Sequence, residues 1–567
     1  MKPLSIVRKI QILLLFIFLS GCKNDTKQTI STSSNSLLHL NLSEEVHDKF
    51  LLTPENHIIY STMDNNNYSL RIYHNGRIDK LFPESINIFN PILISGEVTA
   101  LQDHYGDEKF KLLGSELIEY IGNNPINVIN SFNNGSIVLV QLQNSSELLL
   151  INLKNKTKSI IAEINQKING TSFSDITNHL IISYDNELID YNLNNNQTVV
   201  LANCMDGSKQ NPQISNNDVY FVNNSQSDYY EIFKTSIFDS TAKGIISVLK
   251  SNHDLRLPKI KNNFLYYIEV VNSEYLLKRI DLKTKNKKKI THKGVVYNYE
   301  FLYDNQIVMT YSDFITPKCI MIYKELYDSL FNLTGSNINQ SLSFQLIKDN
   351  KNNSSAYLFK PDSGVTKGVV LYLGPGIHSD FSPRWDNLLM NICSNGYIIL
   401  APNSPMSFGY GKKYFSATFD DLFNDTKKWK HYLMNQYNEF PLFCIASSSG
   451  NISLEYLSTH DSEGIKAAAS LFGLSINSVS STFSMPTLYI LGENDPKVDF
   501  KQRFKALNKN SRMNSTITVV SYPDEGHWFR SYYNYKDAME RILYFFQIYG
   551  KVENSKHIDS LKTEYKR

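Results

Sequence analysis

Residues 443–452 read FCIASSSGNI, an apolar run that breaks into three serines and a glycine, and the fold turns on what that break is. Phe443 to Ile445 continue the strand-like run PLFCIAS, while Ile452 to Leu457 open a helical pattern, so the serines occupy a strand-to-helix turn. A hydrolase mounts its nucleophile on such a turn, in the pattern G-x-S-x-G. Here the pattern is Ala446-Ser447-Ser448-Ser449-Gly450, with small residues two before and two after the middle serine, where neighbouring backbone must pack. Ser448 is therefore the candidate nucleophile. A polar turn without chemistry accounts for the same residues until partners are found.

Outward from this turn the last third alternates strand and helix patterns. KGVVLYLGPG (367–376), YIILAPN (397–403), IKAAASLFG and PTLYILG are continuous apolar runs of strand length. RWDNLLMNICSNG (384–396) is helix-like with Gly396 as its stop. TFDDLFNDTKKWKHYLMNQY (418–437) sets Phe419, Leu422, Phe423, Trp429 and Leu433 on one helical face. Apolar strands separated by helices predict a parallel sheet covered on both sides, spanning 336–550. Two residues suit the partner roles in chain order. Asp495 follows PTLYILG in the loop ENDPKV, and His527, 32 residues on, closes YPDEGH after another strand end. Singly these read as a turn aspartate and a surface histidine. Together with Ser448 they are an alcohol, a carboxylate and an imidazole in the order an α/β-hydrolase needs, the base to take the serine proton and the acid to orient the base.

Between residues 40 and 335 short β-rich runs alternate with Asn, Asp and Gly turns. LLLINLKNKTKSII (148–161), LIDYNLNNNQTVVL (188–201) and LLKRIDLKTKNKKKIT (276–291) are copies of one unit. Aligned on a central apolar residue, the units fall at Ile72, Leu113, Leu153, Leu193, Ile237, Leu282 and Ile322, spaced by 41, 40, 40, 44, 45 and 40 residues. That is the length of a four-stranded propeller blade, and seven units predict seven blades, with six or eight as the alternatives because Ile72, Leu113 and Ile322 align weakly. A β-sandwich explains many strands but not the period.

A β-propeller followed by a hydrolase with these motifs resembles the prolyl oligopeptidase family of serine peptidases. Tyr372-Leu373-Gly374-Pro375-Gly376 is similar to its (H/Y)-x-G-P segment, and Asn403 to Gly411 to its N-x-R-G-S-x-G-Y-G segment. Leu491 to Val498 is similar to its G-x-x-D-x-x-V acid motif, and Asp524-Glu525-Gly526-His527 to its histidine motif. The resemblance implies Ser448 as nucleophile, His527 as general base then acid, Asp495 as its orienting carboxylate, and an oxyanion hole made by the Ser449 N–H and the Tyr372 phenol. The chain departs from the pattern in several places. Ala446 and Asn451 replace glycines, and Pro405-Met406 stand where the family has Arg-Gly. Only 47 residues separate Ser448 from Asp495, so the segment after SLFGLS (470–475), which in the family lines the specificity pocket, is shortened. A proline preference is therefore not carried over, and no Asp-Trp-x-Tyr-Glu-Glu segment supports dipeptidyl activity.

The first 21 residues carry Lys2, Arg8 and Lys9 and then an apolar run from Ile10 to Leu19, too short to span a bilayer, and read as an export signal. Leu19-Ser20-Gly21-Cys22 resembles a bacterial lipobox, which implies a lipidated Cys22, a flexible tether over 22–39 and attachment to the cell envelope. Without the leader 54 basic residues face 55 acidic ones, so no basic excess points to nucleic acid. Four further cysteines, Cys204, Cys319, Cys393 and Cys444, lack metal or disulfide spacing. There is no GxGxxG and no phosphate loop, so no cofactor is expected. A charged tail is expected at 551–567. The expected function is hydrolysis of short peptides outside the cytoplasm. An esterase on the same fold and an idle binding lipoprotein are the alternatives.

Overall fold

The computed structural model describes residues 46–551, except 65–66, 83–86, 104–108, 203–204, 239–243, 303, 335–342, 350–353, 363, 474–483 and 514–516. The expected leader, Cys22, the tether, Cys204, part of the shortened pocket segment and residues 552–567 of the expected tail lie outside the described residues.

Asparagine shapes the first two thirds because many of its hairpin turns need left-handed backbone. Asn262 and Asn263 have φ of 50° and 65°, and Asn272 and Ser273 of 52° and 63°, the double positive φ of tight hairpins that Asn tolerates best after Gly. Repeated hairpins give consecutive antiparallel meanders at 46–80, 88–112, 126–163, 168–201, 209–249, 254–289 and 295–332. Among the described residues the second has three strands, and the sixth and seventh are joined by one parallel pair, Tyr275 and Val295. These are the seven blades of the propeller. Leu153, Leu193, Ile237 and Leu282 each stand one residue beyond a third strand, where their N–H groups donate to the carbonyls of Ser136, Asn178, Asn217 and Asn263 at 2.9 Å. This shared rung, which ties the third strand back to the first turn of the same blade, underlies the visible period. Leu113 also follows a third strand, whereas Ile72 and Ile322 lie inside theirs.

Burial between blades holds the ring. Tyr220, Ile232, Leu255, Leu265, Tyr267 and Ile280 join the fifth blade to the sixth, each fully buried aliphatic side chain contributing roughly 1.5–3 kcal/mol. First and last blades meet through Phe50, Tyr60, Val308 and Ile320, and Thr310 Oγ1 donates to the Asp48 carbonyl at 3.0 Å.

Among the described residues the hydrolase sheet has eight strands: β1 Ser343–Asp349, β2 Ser354–Lys360, β3 Gly368–Leu373, β4 Tyr397–Asn403, β5 Leu442–Ser447, β6 Ile465–Leu471, β7 Thr487–Gly492 and β8 Ile517–Tyr522, in the order β1-β2-β4-β3-β5-β6-β7-β8. From β3 to β8 neighbours are parallel, as the apolar runs predict; β1 and β2 form an antiparallel hairpin that the sequence reading did not anticipate. β3 and β5 are buried along their whole length. Helices Asn387–Ser394 and Tyr532–Lys551 cover one face, and Phe419–Gln436 and Asn451–His460 the other. In helix Phe419–Gln436 the buried apolar stripe is Leu422, Trp429 and Leu433. Phe419, expected on that face, is 40 % exposed: as the helix's first residue it precedes the turn that meets the sheet, and its ring packs on Phe423 at 6.0 Å. Cys319, Cys393 and Cys444 are buried free thiols. Among the described residues no helix is long and apolar enough to cross a membrane.

Propeller and hydrolase dock through turns joining second and third blade strands. Asn403 Nδ2 donates to Ser273 Oγ at 3.2 Å, Tyr357 OH to the Asn272 carbonyl at 3.0 Å, and the Lys413 N–H to Asp228 Oδ1 at 2.7 Å. Between the domains lies a cavity of about 1790 Å³, lined by propeller residues and by Asp380, Ser382 and Arg384 of the hydrolase.

Candidate active site

The three residues singled out from sequence are brought together by loops at the ends of β5, β7 and β8. Ser448 follows β5 with φ of +50°, a left-handed conformation that costs a non-glycine residue about 1–2 kcal/mol and that throws the side chain off the sheet top. Close packing enforces the turn: a Cβ on Gly450 would lie 1.6 Å from the Leu373 carbonyl oxygen, and one on Gly376 2.2 Å from the Gly450 nitrogen. Ala446, fully buried, fills the other small position. Asn451, where the family pattern has glycine, donates from Nδ2 to the carbonyls of Ser448 (3.0 Å) and Leu471 (3.3 Å), tying the turn to β6.

Ser448 Oγ lies 2.8 Å from His527 Nε2, and His527 Nδ1 lies 2.8 Å from Asp495 Oδ2. The imidazole and carboxylate are almost sealed from solvent, at 1 % and 3 % side-chain exposure. Asp495 is itself held, because its Oδ1 accepts the N–H groups of Lys497 (2.8 Å) and Val498 (3.1 Å). The histidine loop rests on the last residue of β7: a Cβ on Gly492 would come within 2.0 Å of the Gly526 carbonyl oxygen. An alcohol, an imidazole and a carboxylate in this chain can pass a proton from Oγ to Nε2 while the Nδ1 proton stays anchored.

Two supporting features were not evident from sequence. Glu525, quoted only as part of the histidine motif, is fully buried, and its carboxylate accepts the N–H groups of Arg530 (2.6 Å) and Ser531 (3.0 Å) and the Asn534 amide (2.9 Å). It braces the loop that carries His527; burial pushes its pKa upward despite these donors. The loop in which Pro405-Met406 replace the family's Arg-Gly keeps its framework. Asn403 exchanges hydrogen bonds with the Phe381 backbone (2.7 and 2.9 Å), and Met406 adopts φ of +73°, the conformation for which the family's glycine is suited. The signal for Met406 was present as the family's glycine, and for Glu525 as a carboxylate two residues before the histidine.

Tyr372 sits near the end of β3, buried against Phe381, with its phenol donating to Asp386 Oδ2 at 3.3 Å beside Ser447. Burial holds the phenol pKa well above its ordinary value, so the group stays a proton donor. Ser449 follows Ser448 in the same turn, its hydroxyl 3.4 Å from the Ile377 carbonyl. Aromatic rings flank the histidine: Phe472 at 6.2 Å and Trp528 at 5.4 Å, the latter 41 % exposed.

With this geometry in view, comparison with known proteins is specific. Residues 454–552 match the family model described as the prolyl oligopeptidase family. No curated protein matches by sequence. Solved structures share the fold at low identity. A prolyl endopeptidase aligns with TM-score 0.76 and 11 % identity over 90 % of each chain. A puromycin-hydrolysing peptidase of Mycobacterium tuberculosis aligns with TM-score 0.71 and 12 % identity, over 90 % of this chain and 95 % of that one. Oligopeptidase B from Leishmania major gives TM-score 0.70 and 10 % identity, over 89 % and 87 %. Residues 454–552 are thus a match to the prolyl oligopeptidase family, and the chain as a whole shares the propeller-plus-hydrolase fold of these solved peptidase structures.

Proposed function

We propose that the protein hydrolyses short peptides through an acyl-enzyme formed on Ser448. The observation that carries this reading is the unbroken hydrogen-bonded chain Ser448–His527–Asp495 in a nearly dry setting. His527 Nε2 takes the Oγ proton as Oγ bonds to the scissile carbonyl carbon. The tetrahedral oxyanion is received by the Ser449 N–H and by the Tyr372 phenol, which gives up its long bond to Asp386. His527 then protonates the departing amine as the C–N bond breaks, and a water deprotonated by the same nitrogen releases the acyl group. Each pre-aimed oxyanion donor lowers the barrier by roughly 3 kcal/mol.

Restriction to short peptides is supported by the cavity between propeller and hydrolase, and a puromycin hydrolase of this fold, 10 % identical, was captured in complex with PGG. We further propose that the protein is exported and lipid-anchored through Cys22, on the motif Leu19-Ser20-Gly21-Cys22. Cys22→Ala should leave the membrane fraction or fail to be processed, and unchanged membrane association would refute the anchor.

The test of activity is a mass-spectrometric product profile of a peptide library with the wild type and Ser448→Ala side by side. Cleavage by the first alone is expected. Turnover of acyl esters with every peptide intact would replace the peptidase reading by an esterase one.

A further inference from the structure

Two guanidinium groups in the inter-domain cavity lack the carboxylate partners that four other arginines have. Arg279, Arg503, Arg530 and Arg541 each face a carboxylate within 4 Å. Arg256, on the first strand of the sixth blade, and Arg384, in the hydrolase segment before helix Asn387–Ser394, line the cavity with Tyr275, Tyr297 and Asp380. Among the described residues neither guanidinium has a salt bridge or a side-chain hydrogen bond. Arg256 is held by ring faces instead, its Cζ 4.9 Å from the Phe408 centroid and 5.5 Å from that of Tyr275. Such contacts position the fork without using its N–H donors.

Both groups converge on one place. Each lies within electrostatic reach of Asp380 and of Tyr275, one from either domain. Among the described residues Asp380 is the one carboxylate within electrostatic reach of both arginines, and it hydrogen-bonds to neither. Asp380 Oδ1 accepts from Tyr275 OH at 3.1 Å, while its Oδ2 is buried with no hydrogen-bond partner. Asp386 accepts the Leu389 N–H (3.1 Å) and Tyr372 OH (3.3 Å). Two planar forks in a partly enclosed cavity, with their donors unused, are the arrangement that recognises a planar anion. Asp386, two residues beyond Arg384, accepts the Tyr372 phenol and so links this side of the cavity to the strand that leads to the Ser448 turn.

We propose that Arg256 and Arg384 form a carboxylate-binding subsite in the inter-domain cavity, which makes peptides carrying an acidic group at one position the preferred substrates. The proposal rests on the peptidase reading above for its substrate class. The carboxylate comes from a Glu or Asp side chain or from the peptide's own C-terminus, and the propeller supplies one cation while the hydrolase supplies the other.

Binding separates this proposal from catalysis. Fluorescent pentapeptides are titrated into full-length Ser448→Ala, with Glu walked through a neutral frame against Gln at the same place, and with each C-terminal acid against its amide. For one position, or for the terminus, the charged member should bind about 10- to 100-fold more tightly. Arg256→Gln and Arg384→Gln should bring that ratio to about one, and Lys replacements should restore part of it, since the charge returns without the fork. Equal affinities throughout the wild-type-cavity series, or tighter binding of a Lys peptide, would overturn the subsite, whether or not the arginine variants fold. Failure of a fluorophosphonate to label wild-type Ser448 would instead sink the catalytic reading and leave the affinity ratio to decide this one.

Discussion

Replacing Asp495 by Asn exchanges one oxygen for an NH2 at nearly constant volume, and the surrounding hydrogen bonds dictate which way the amide faces. Oδ1 accepts the N–H groups of Lys497 and Val498 at 2.8 and 3.1 Å. Turning the amide round would set its NH2 against those two donors, at a cost of about 1–3 kcal/mol for each donor left unpaired. The NH2 must therefore point at His527 Nδ1, 2.8 Å from the atom it replaces. Nδ1 becomes an acceptor and the ring proton moves to Nε2. Ser448 Oγ, 2.8 Å away, then meets an N–H where it needs a lone pair. The wrong tautomer should lower kcat by about 10⁴, or about 5 kcal/mol of barrier. Because every hydrogen bond at residue 495 is remade, stability should change by less than about 1 kcal/mol. Initial rates on a chromogenic peptide, paired with a denaturant melt of the same preparation, measure both. A rate within tenfold of wild type would refute the reasoning, and a parallel collapse of stability would make the effect structural.

Three further outcomes are expected. Tyr372→Phe should lower kcat by about 10²–10³ with KM within about threefold, if its phenol serves the oxyanion; a change confined to KM would remove that role. Gly450→Ala puts a methyl 1.6 Å from the Leu373 oxygen, so β3 and the turn must part, with a stability loss of about 2–3 kcal/mol or more and loss of Ser448 labelling; a stable, reactive variant would show that the packing is not needed. Asp254 is 3 % exposed, and burial pushes its carboxyl up to about 6. The folded chain therefore holds that proton to higher pH than the unfolded chain, and the associated stability, present below about pH 4, is lost as pH rises through 6. Asp254→Asn keeps an acceptor for the Tyr230 N–H (2.9 Å) and should exceed wild type by about 2–3 kcal/mol at pH 7 but not at pH 4; an equal difference at both pH values would count against the assignment.

Much of this was legible along the chain, for local reasons. The blade period shows because one rung recurs at Leu153, Leu193, Ile237 and Leu282; it blurs at Ile72 and Ile322, which lie inside their strands. The nucleophile turn shows because Ala446 and Gly450 are small for a packing reason that the Leu373 carbonyl makes explicit. The hairpin β1–β2 did not show, since its first strand is largely exposed or half-buried and carries no continuous apolar run. Nor did the sharing of one cavity by Arg256 and Arg384: 128 positions apart and in different domains, they line the same space only when the domains dock. Glu525 is local in effect, but its partners Arg530, Ser531 and Asn534 lie around a loop whose curl no periodicity records.

The central claim is that Ser448 is a nucleophile made reactive by His527. Incubating the folded protein with a fluorophosphonate and sequencing the modified peptide by mass spectrometry tests it most directly. The account expects one adduct, on Ser448, formed by the wild type and not by His527→Gln. An unmodified Ser448, or an adduct that forms equally fast without His527, would contradict it.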